Sequence, residues 1–338
     1  MRHWLILGGL LSFGFLAGVG GAVSHDFGVV RCDAPVDRCA AAAALTLAPD
    51  AEALCRSAAS PTDDSSIERR FSRAMQRYNK QGKVVAREVL MGQLERKTCD
   101  RSFARPSSQE LNAEQVYARL KPSTVLVGSI YNCGRCSRWH TGLASGFVVG
   151  SDGVIATNHH VVESDRKDAL GVMLADGRVF PVKEVLAANE AADVALVKID
   201  VKGLIALPLR VDAPVGARVY VLGHPDGQYF SFSEGLIARY LRLRVKAGVR
   251  PRRMAITADF AKGSSGSPVV DASGAVVGIV SSTRSIYYND VKGDPRNLQM
   301  VLKHCVTGAD VAALVADSAS AKPKIEAKPA RRPQPRLY

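Results

Sequence analysis

Short apolar runs recur along the middle of the chain, at residues 124–130, 147–149, 154–157, 172–174, 179–185, 194–199, 219–222, 236–238, 254–257 and 276–280, with Gly, Asp and Pro between them. Runs of this length, bounded by turn residues, predict strands, and their number predicts an all-β core. Ser151-Asp152-Gly153 supplies the turn between the second and third of them. Upstream the spacing becomes helical. Residues 40–57 predict one helix that ends near Cys55. Ser65-Ser66-Ile67-Glu68 has capping-box spacing before a second helix, 67–80, in which Ile67, Phe71, Met75 and Tyr78 share a face. Gly82 breaks it, and 84–97 predicts a third, with Val85, Val89 and Gly92 inward. A further helix over 110–120 leads through Lys121-Pro122 into the first strand. The small helical region is expected to pack on the β core or be tethered to it. A lid, a partner-binding element and a folding aid are equally open roles for it.

The two ends read differently. Residues 4–23 are continuously apolar behind Met1-Arg2-His3, and Ala22-Val23-Ser24 offers small residues of the kind signal peptidases accept. A run of about twenty residues would also span a bilayer, but Gly8, Gly9, Gly14, Gly18, Gly20 and Gly21 make it a poor rigid anchor. We therefore expect a cleaved signal over 1–24, and a periplasmic or secreted protein without a membrane span. From 316 to 338 the chain is rich in Pro, Lys and Arg and has too little apolar surface to fold. Between the ends lie a helical region, 25–110, and a β domain, 111–315. With 338 residues and 47% apolar content, the chain is long and apolar enough to bury a sizeable core.

Candidate chemistry starts at Asp259-Phe-Ala-Lys-Gly-Ser-Ser-Gly-Ser-Pro268, where Ser265 sits between glycines just before the apolar Val269-Val270. A serine hydroxyl is a poor nucleophile until a positioned base takes its proton. His160 lies at the end of the 154–157 strand, and Asp193 stands at the mouth of the 194–199 strand. The order His, Asp, Ser is that of the chymotrypsin fold and differs from subtilisin-type and α/β-hydrolase orders.

Thr157-Asn-His-His-Val-Val162, Asp193-Val-Ala-Leu-Val-Lys198 and Gly263-Ser-Ser-Gly-Ser-Pro268 together resemble the motifs of trypsin-like serine proteases, and within them the bacterial HtrA (Deg) type. The resemblance covers roughly 113–312. It implies two six-stranded antiparallel β-barrels with the site in the cleft between them. It also implies roles: Ser265 attacks the scissile carbonyl, His160 carries the proton, Asp193 orients the imidazole, and the N–H groups of Gly263 and Ser265 form the oxyanion hole. No metal or organic cofactor is implied, and with the tail reading as extended there is no room for a PDZ domain. The sequence departs from the pattern at His159, Ser264 and Ser267, none of which removes a reacting atom.

Three further residues are assigned to substrate. Asp259 lies six positions before the nucleophile, where digestive trypsins keep the acid of the specificity pocket; buried there, it would favour Arg or Lys at the cleaved position. Ser281 should begin the strand that pairs with substrate backbone, and Thr283 should narrow the pocket entrance. His224 reads as a turn residue, His159 as a neighbour pointing away from the cleft, and His140 and His304 have no identifiable partner.

Seven cysteines suit an oxidising compartment. Cys32, Cys39, Cys55 and Cys99 could form two bridges stapling the helical region, and Cys133-Gly-Arg-Cys136 is expected to form a local disulfide, since it lacks the second pair of a closed zinc site. The odd count leaves one thiol over. The net charge of +13 is concentrated around Arg239, Arg242, Arg244, Lys246 and Arg250 to Arg253, with Arg242, Arg244 and Lys246 alternating with Leu241, Leu243 and Val245. That pattern gives one basic strand face, which is a solvated surface or an attractor of anionic envelope material. No nucleic-acid motif accompanies it. The sequence thus predicts an exported serine endopeptidase acting on polypeptides. Its rival is a catalytically weak protein of the same fold that binds peptides as a chaperone or scaffold in the cell envelope.

Overall fold

The computed structural model describes residues 61–163, 168–243, 250–291 and 294–315. The expected signal, the 40–57 helix, Cys32, Cys39, Cys55, Arg244, Lys246 and the basic tail lie outside the described residues. The fold is mostly β and consists of two closed six-stranded barrels.

The first barrel is built from β1 (Thr124–Asn132), β2 (Trp139–Gly150), β3 (Val154–Thr157), β4 (Ala169–Met173), β5 (Val179–Asn189) and β6 (Val194–Ile199), closed in the order β1-β2-β3-β6-β5-β4. The second contains β7 (Arg218–Gly223), β8 (Ser231–Arg242), β9 (Arg252–Ile256), β10 (Pro268–Asp271), β11 (Val276–Val291) and β12 (Asp294–Thr307), closed as β10-β11-β12-β9-β8-β7. Every pairing is antiparallel.

Why these strands read as unbroken apolar runs follows from their two buried faces. Successive side chains on a strand point to opposite sides. In β6, Ala195 and Val197 fill the first barrel, while Val194 and Leu196 face a second cluster shared with the other barrel. In β7, Val219 and Val221 fill the second barrel, and Tyr220 and Leu222 enter the same shared cluster. Phe147, Val270, Ile279 and Val306 complete that cluster, which cements barrel to barrel. Full burial of each such side chain is worth about 1.5–3 kcal/mol, so the seam between the barrels is strongly held.

The helices differ in extent from what their periodicity predicts: the first is longer, the next two shorter. Helix α1 (Asp64–Lys80) begins earlier than 67, because Asp63 rather than Ser65 caps it, its carboxylate accepting from the Ser66 N–H. Helix α2 (Arg87–Gln93) occupies only the centre of 84–97. Helix α3 (Ala113–Leu120) is set by a capping box between Asn112 and Gln115. Phe71 and Met75 of α1 pack on Leu126, Ile130, Ala169 and Met173 of the first barrel. They approach so closely that a β-carbon at Gly171 would lie 2.4 Å from the Met75 sulfur. Leu90 and Leu94 join the interior cluster of the same barrel. The described helical segment is therefore packed on the β core. Two short helices, α4 (His159–Val162) and α5 (Gly308–Ala312), complete the fold. Among the described residues no helix is long and apolar enough to cross a membrane.

The long β11–β12 hairpin is the largest departure from the sequence expectation, which ends its last strand at 280. Its outer part exposes Tyr288, Leu298 and Met300, so no buried face marks it in the sequence.

Candidate active site

Asp193 is the hub of the candidate site. It immediately precedes β6 with a left-handed backbone (φ 61°), which Asp tolerates better than most residues. Asn158 holds that conformation by donating its side-chain amide to the Asp193 carbonyl at 2.8 Å. The carboxylate then receives three donors. His160 Nδ1 lies 2.8 Å from Oδ1, the His160 N–H donates to the same oxygen at 3.2 Å, and Ser281 Oγ donates to Oδ2 at 2.6 Å. With Nδ1–H committed to a carboxylate, His160 has Nε2 left as a proton acceptor. Half of the His160 side chain is exposed and only 16% of the Asp193 side chain, so the acid is shielded and the ring open to solvent.

Behind the acid lies Arg253, only 5% exposed, which donates to the carbonyls of Arg252 and Ala191. Burial draws its pKa down, and the nearby Asp193 charge opposes that shift.

Ser265 stands in the loop before β10. Its hydroxyl donates to the Ser281 carbonyl at 3.4 Å, and no hydrogen bond joins it to His160 among the described residues. One residue, Ser281, therefore touches both the serine and the acid. The loop is shaped by left-handed backbones at Gly263 (φ 93°) and Gly266 (φ 89°). A β-carbon at 263 would lie 2.5 Å from the His224 carbonyl, and one at 266 would lie 2.0 Å from the Ser145 carbonyl, so both turns require glycine. Ser145 of β2 fastens the loop from the first barrel: its N–H donates to the Ser265 carbonyl at 2.8 Å and its hydroxyl to the Gly263 carbonyl at 3.1 Å. Those two carbonyls are thus turned inward. The N–H groups of Gly263 and Ser265 donate to nothing among the described residues, whereas those of Ser264, Gly266 and Ser267 are all bonded.

The sequence-assigned substrate residues fall out differently. Asp259 is 90% exposed at its side chain rather than buried at the floor of a pocket, and its carboxylate lies 3.3 Å from Lys303 Nζ. The Lys303 side chain is the buried one, 13% exposed, donating to the Phe260 carbonyl at 2.5 Å above the Phe260 ring. Ser281 directs its hydroxyl to Asp193, and Thr283 is exposed on β11 opposite Lys303.

The remaining histidines have distinct places. His159 is buried, with Nδ1 3.5 Å from Glu163. His224 is buried, its Nδ1 accepting from the Phe230 N–H at 3.0 Å, and burial pushes its pKa down to about 4. His304 is buried on β12. His140, for which the sequence offers no partner, has Nε2 only 3.2 Å from Cys136 Sγ. The described cysteines, Cys99, Cys133, Cys136 and Cys305, are free, and Cys133 and Cys136 sulfurs lie 3.4 Å apart without the expected disulfide. The Cys133 thiol is drawn down to about 6, first by the Arg135 N–H and then by the Cys136 thiol, with smaller help from the Cys136 N–H and His140.

Sequence reasoning missed Ser145, Arg253 and Lys303. Their local sequences carry no signal, because each acts on a segment far away in the chain.

Residues 144–279 match the trypsin-like peptidase domain family. A putative serine protease HhoA of Synechocystis is 35% identical over 151 residues, covering 43% of this chain and 38% of that protein. A probable periplasmic serine endoprotease DegP-like of Halomonas elongata is 38% identical over 149 residues, 42% of this chain and 30% of the other. Protease Do-like 1, a chloroplastic protein of Arabidopsis thaliana, is 36% identical over 145 residues, 41% and 32% of the two chains. The chain thus spans between 30% and 38% of the length of these relatives. The matched segment runs from β2 to β11 and contains His160, Asp193, the 263–268 loop and part of the barrels' shared cluster. Residues 144–279 are therefore similar to a trypsin-like peptidase domain, and the similar proteins include HtrA- and Deg-type serine proteases.

Proposed function

We propose that the protein is a serine endopeptidase that hydrolyses polypeptides through an acyl-enzyme, with Ser265 as nucleophile, His160 as general base and acid, and Asp193 as the group orienting the imidazole. The observation that carries this reading is the Asp193 carboxylate, which accepts from His160 Nδ1 on one oxygen and from Ser281 on the other, while the Ser281 carbonyl receives Ser265 Oγ.

In this reading, rotation about the Ser265 Cα–Cβ bond moves its hydroxyl from the Ser281 carbonyl toward His160 Nε2; catalytic hydrogen bonds often tighten only when substrate arrives. The imidazole takes the hydroxyl proton as Oγ attacks the carbonyl carbon, and returns it to the departing amine. Water then repeats the sequence on the acyl-enzyme. The Asp193 charge steadies the imidazolium formed at each stage. The unengaged N–H groups of Gly263 and Ser265 are positioned on the loop to receive the carbonyl oxygen as it gains charge, a service worth about 3 kcal/mol per donor. All of these groups belong to the chain itself.

Export fits the apolar 4–23 segment, and we place the protein in the periplasm or outside the cell on that ground. The exposed Arg239 and Arg242 of β8, Arg252 of β9 and the basic residues of the tail give it an affinity for anionic envelope surfaces. A second reading, a peptide-binding scaffold of the same fold, draws on the absence of a Ser265–His160 hydrogen bond among the described residues.

Labelling with a fluorophosphonate decides between them. The enzyme reading expects covalent labelling of the purified chain and none of Ser265→Ala. An unlabelled parent that binds unfolded polypeptide would instead favour the scaffold.

A further inference from the structure

The tip of the β1–β2 hairpin holds a group of side chains that peptide hydrolysis does not use. Cys133 and Cys136 lie in the six-residue loop 133–138, and His140 is the second residue of β2. The sulfurs are 3.4 Å apart, Cys136 Sγ is 3.2 Å from His140 Nε2, and all three atoms lie within 4.8 Å of one another. We propose that Cys133, Cys136 and His140 form a zinc-binding site, with the fourth corner of the tetrahedron taken by water.

The distances fit the ion. Tetrahedral zinc with Zn–S near 2.3 Å and Zn–N near 2.0–2.1 Å requires sulfur–sulfur edges of about 3.8 Å and sulfur–nitrogen edges of about 3.6 Å. The two short edges here need to open by only about 0.4 Å to reach them, a movement within the reach of side-chain torsions. Two thiolates and an imidazole are soft and borderline donors, which select zinc over magnesium or calcium. A local disulfide would employ two of these groups and leave His140 aimed at an inert sulfur. Zinc employs all three.

The loop is shaped before any ion arrives. Asn132, the last residue of β1, accepts the Gly134 N–H on its side chain at 2.9 Å, and its own N–H donates to Asp168 at 2.7 Å. Gly134 takes a left-handed backbone (φ 68°), and that turn folds Cys136 back toward Cys133. The cross-strand register sets Tyr131 opposite His140, and the two rings stack at 5.3 Å with only 24° between their planes. That stacking fixes the imidazole plane, as outer partners of metal-binding histidines commonly do. Neither sulfur nor the ring is buried, so an ion has a path in. His140 also lines a cleft of about 290 Å³ with Glu68, Arg138, Trp139 and Thr141, and Glu68 accepts from the Thr141 hydroxyl at 2.7 Å. Through that contact, fixing the hairpin tip also fixes its edge against α1.

The test uses the full chain, reduced, loaded with zinc and desalted, with metal content measured against protein. One zinc per chain is expected, falling to background in Cys136→Ser. His140→Ala should weaken retention about tenfold or more, because losing even an outer partner costs about 10–100-fold. Cobalt in place of zinc should give thiolate-to-metal charge-transfer absorption in the parent and lose it in Cys136→Ser. Circular dichroism establishes that the variants stay folded. Zinc retention unchanged in Cys136→Ser would show that other thiols hold the metal, and would overturn the proposal. So would absence of retained zinc, or a Cys133–Cys136 disulfide in protein purified with zinc and without reductant.

Discussion

Ser281 donates its hydroxyl to Asp193 Oδ2 at 2.6 Å across 88 positions of chain. Its carbonyl meanwhile receives Ser265 Oγ at 3.4 Å. The strand expected to carry substrate thus also holds the acid in place. A hydrogen bond to a charged group contributes about 1.5–3 kcal/mol. Ser281→Ala leaves the carbonyl and removes only the hydroxyl, so kcat should fall about tenfold or more with KM within about twofold. Steady-state kinetics on a peptide substrate measure the split. A rise in KM alone would assign Ser281 to substrate binding instead.

Ser267 illustrates how a departure from the family pattern is accommodated. It is fully buried, and its hydroxyl lies 2.2 Å from where a β-carbon on Gly223 would sit. Gly223 is the space that Ser267 fills. Gly223→Ala should destabilise the second barrel by about 1–3 kcal/mol through overpacking. Adding Ser267→Gly should restore most of that loss, giving a coupling energy of at least about 1 kcal/mol in a double-mutant cycle. Urea midpoints supply all four corners of the cycle.

His224 makes stability depend on pH. It is buried and its pKa is pushed down to about 4 from 6.5 by burial. Above pH 6.5 the ring is neutral in both folded and unfolded chains, and the full stability is present. As pH falls from 6.5 toward 4, the unfolded chain takes up a proton that the folded one refuses, so stability is lost progressively, by up to about 3 kcal/mol. His224→Asn keeps an acceptor near the Phe230 N–H and removes the titration. The stability difference between pH 7.5 and 4.5 should therefore shrink in the variant. Because the His224 carbonyl abuts Gly263, activity should decline over the same range. An equal pH dependence in both proteins would exclude His224 as its source.

Much of the fold was legible because strands buried on both faces leave runs such as 194–199 and 219–222, which need no alternation to be recognised. The outer β11–β12 hairpin was not, since Tyr288, Leu298 and Met300 are exposed and mark no inward face. At the candidate site, motif order brought His160, Asp193 and Ser265 forward as local sequence. Ser145, Arg253 and Lys303 stayed hidden because each acts by register across a barrel or between barrels, which no spacing along the chain encodes. His140 was passed over for a related reason. It lies only four positions from Cys136, but the loop and the strand start that bring them together depend on the pairing of Tyr131 with His140.

Lys303 decides what Asp259 can do. An acid in that position invites a substrate guanidinium only if nothing else has claimed it. Here the Lys303 ammonium, itself nearly buried, lies 3.3 Å from the carboxylate and is anchored on the Phe260 carbonyl. An arriving Arg or Lys side chain meets an acid already neutralised and a cation beside it. Cleavage after Arg or Lys should therefore be no faster than cleavage after apolar residues. Lys303→Met keeps the packing against Phe260 and frees Asp259, so kcat/KM for Arg over Leu at the cleaved position should rise. Because Asp259 is exposed, the gain should be modest: an exposed pair contributes about 0.5–1 kcal/mol, a factor of about two to five. In Lys303→Met combined with Asp259→Asn the gain should vanish. A peptide library cleaved by the three proteins tests each step, and a strong preference for Arg in the parent would show that substrate displaces Lys303 from the acid.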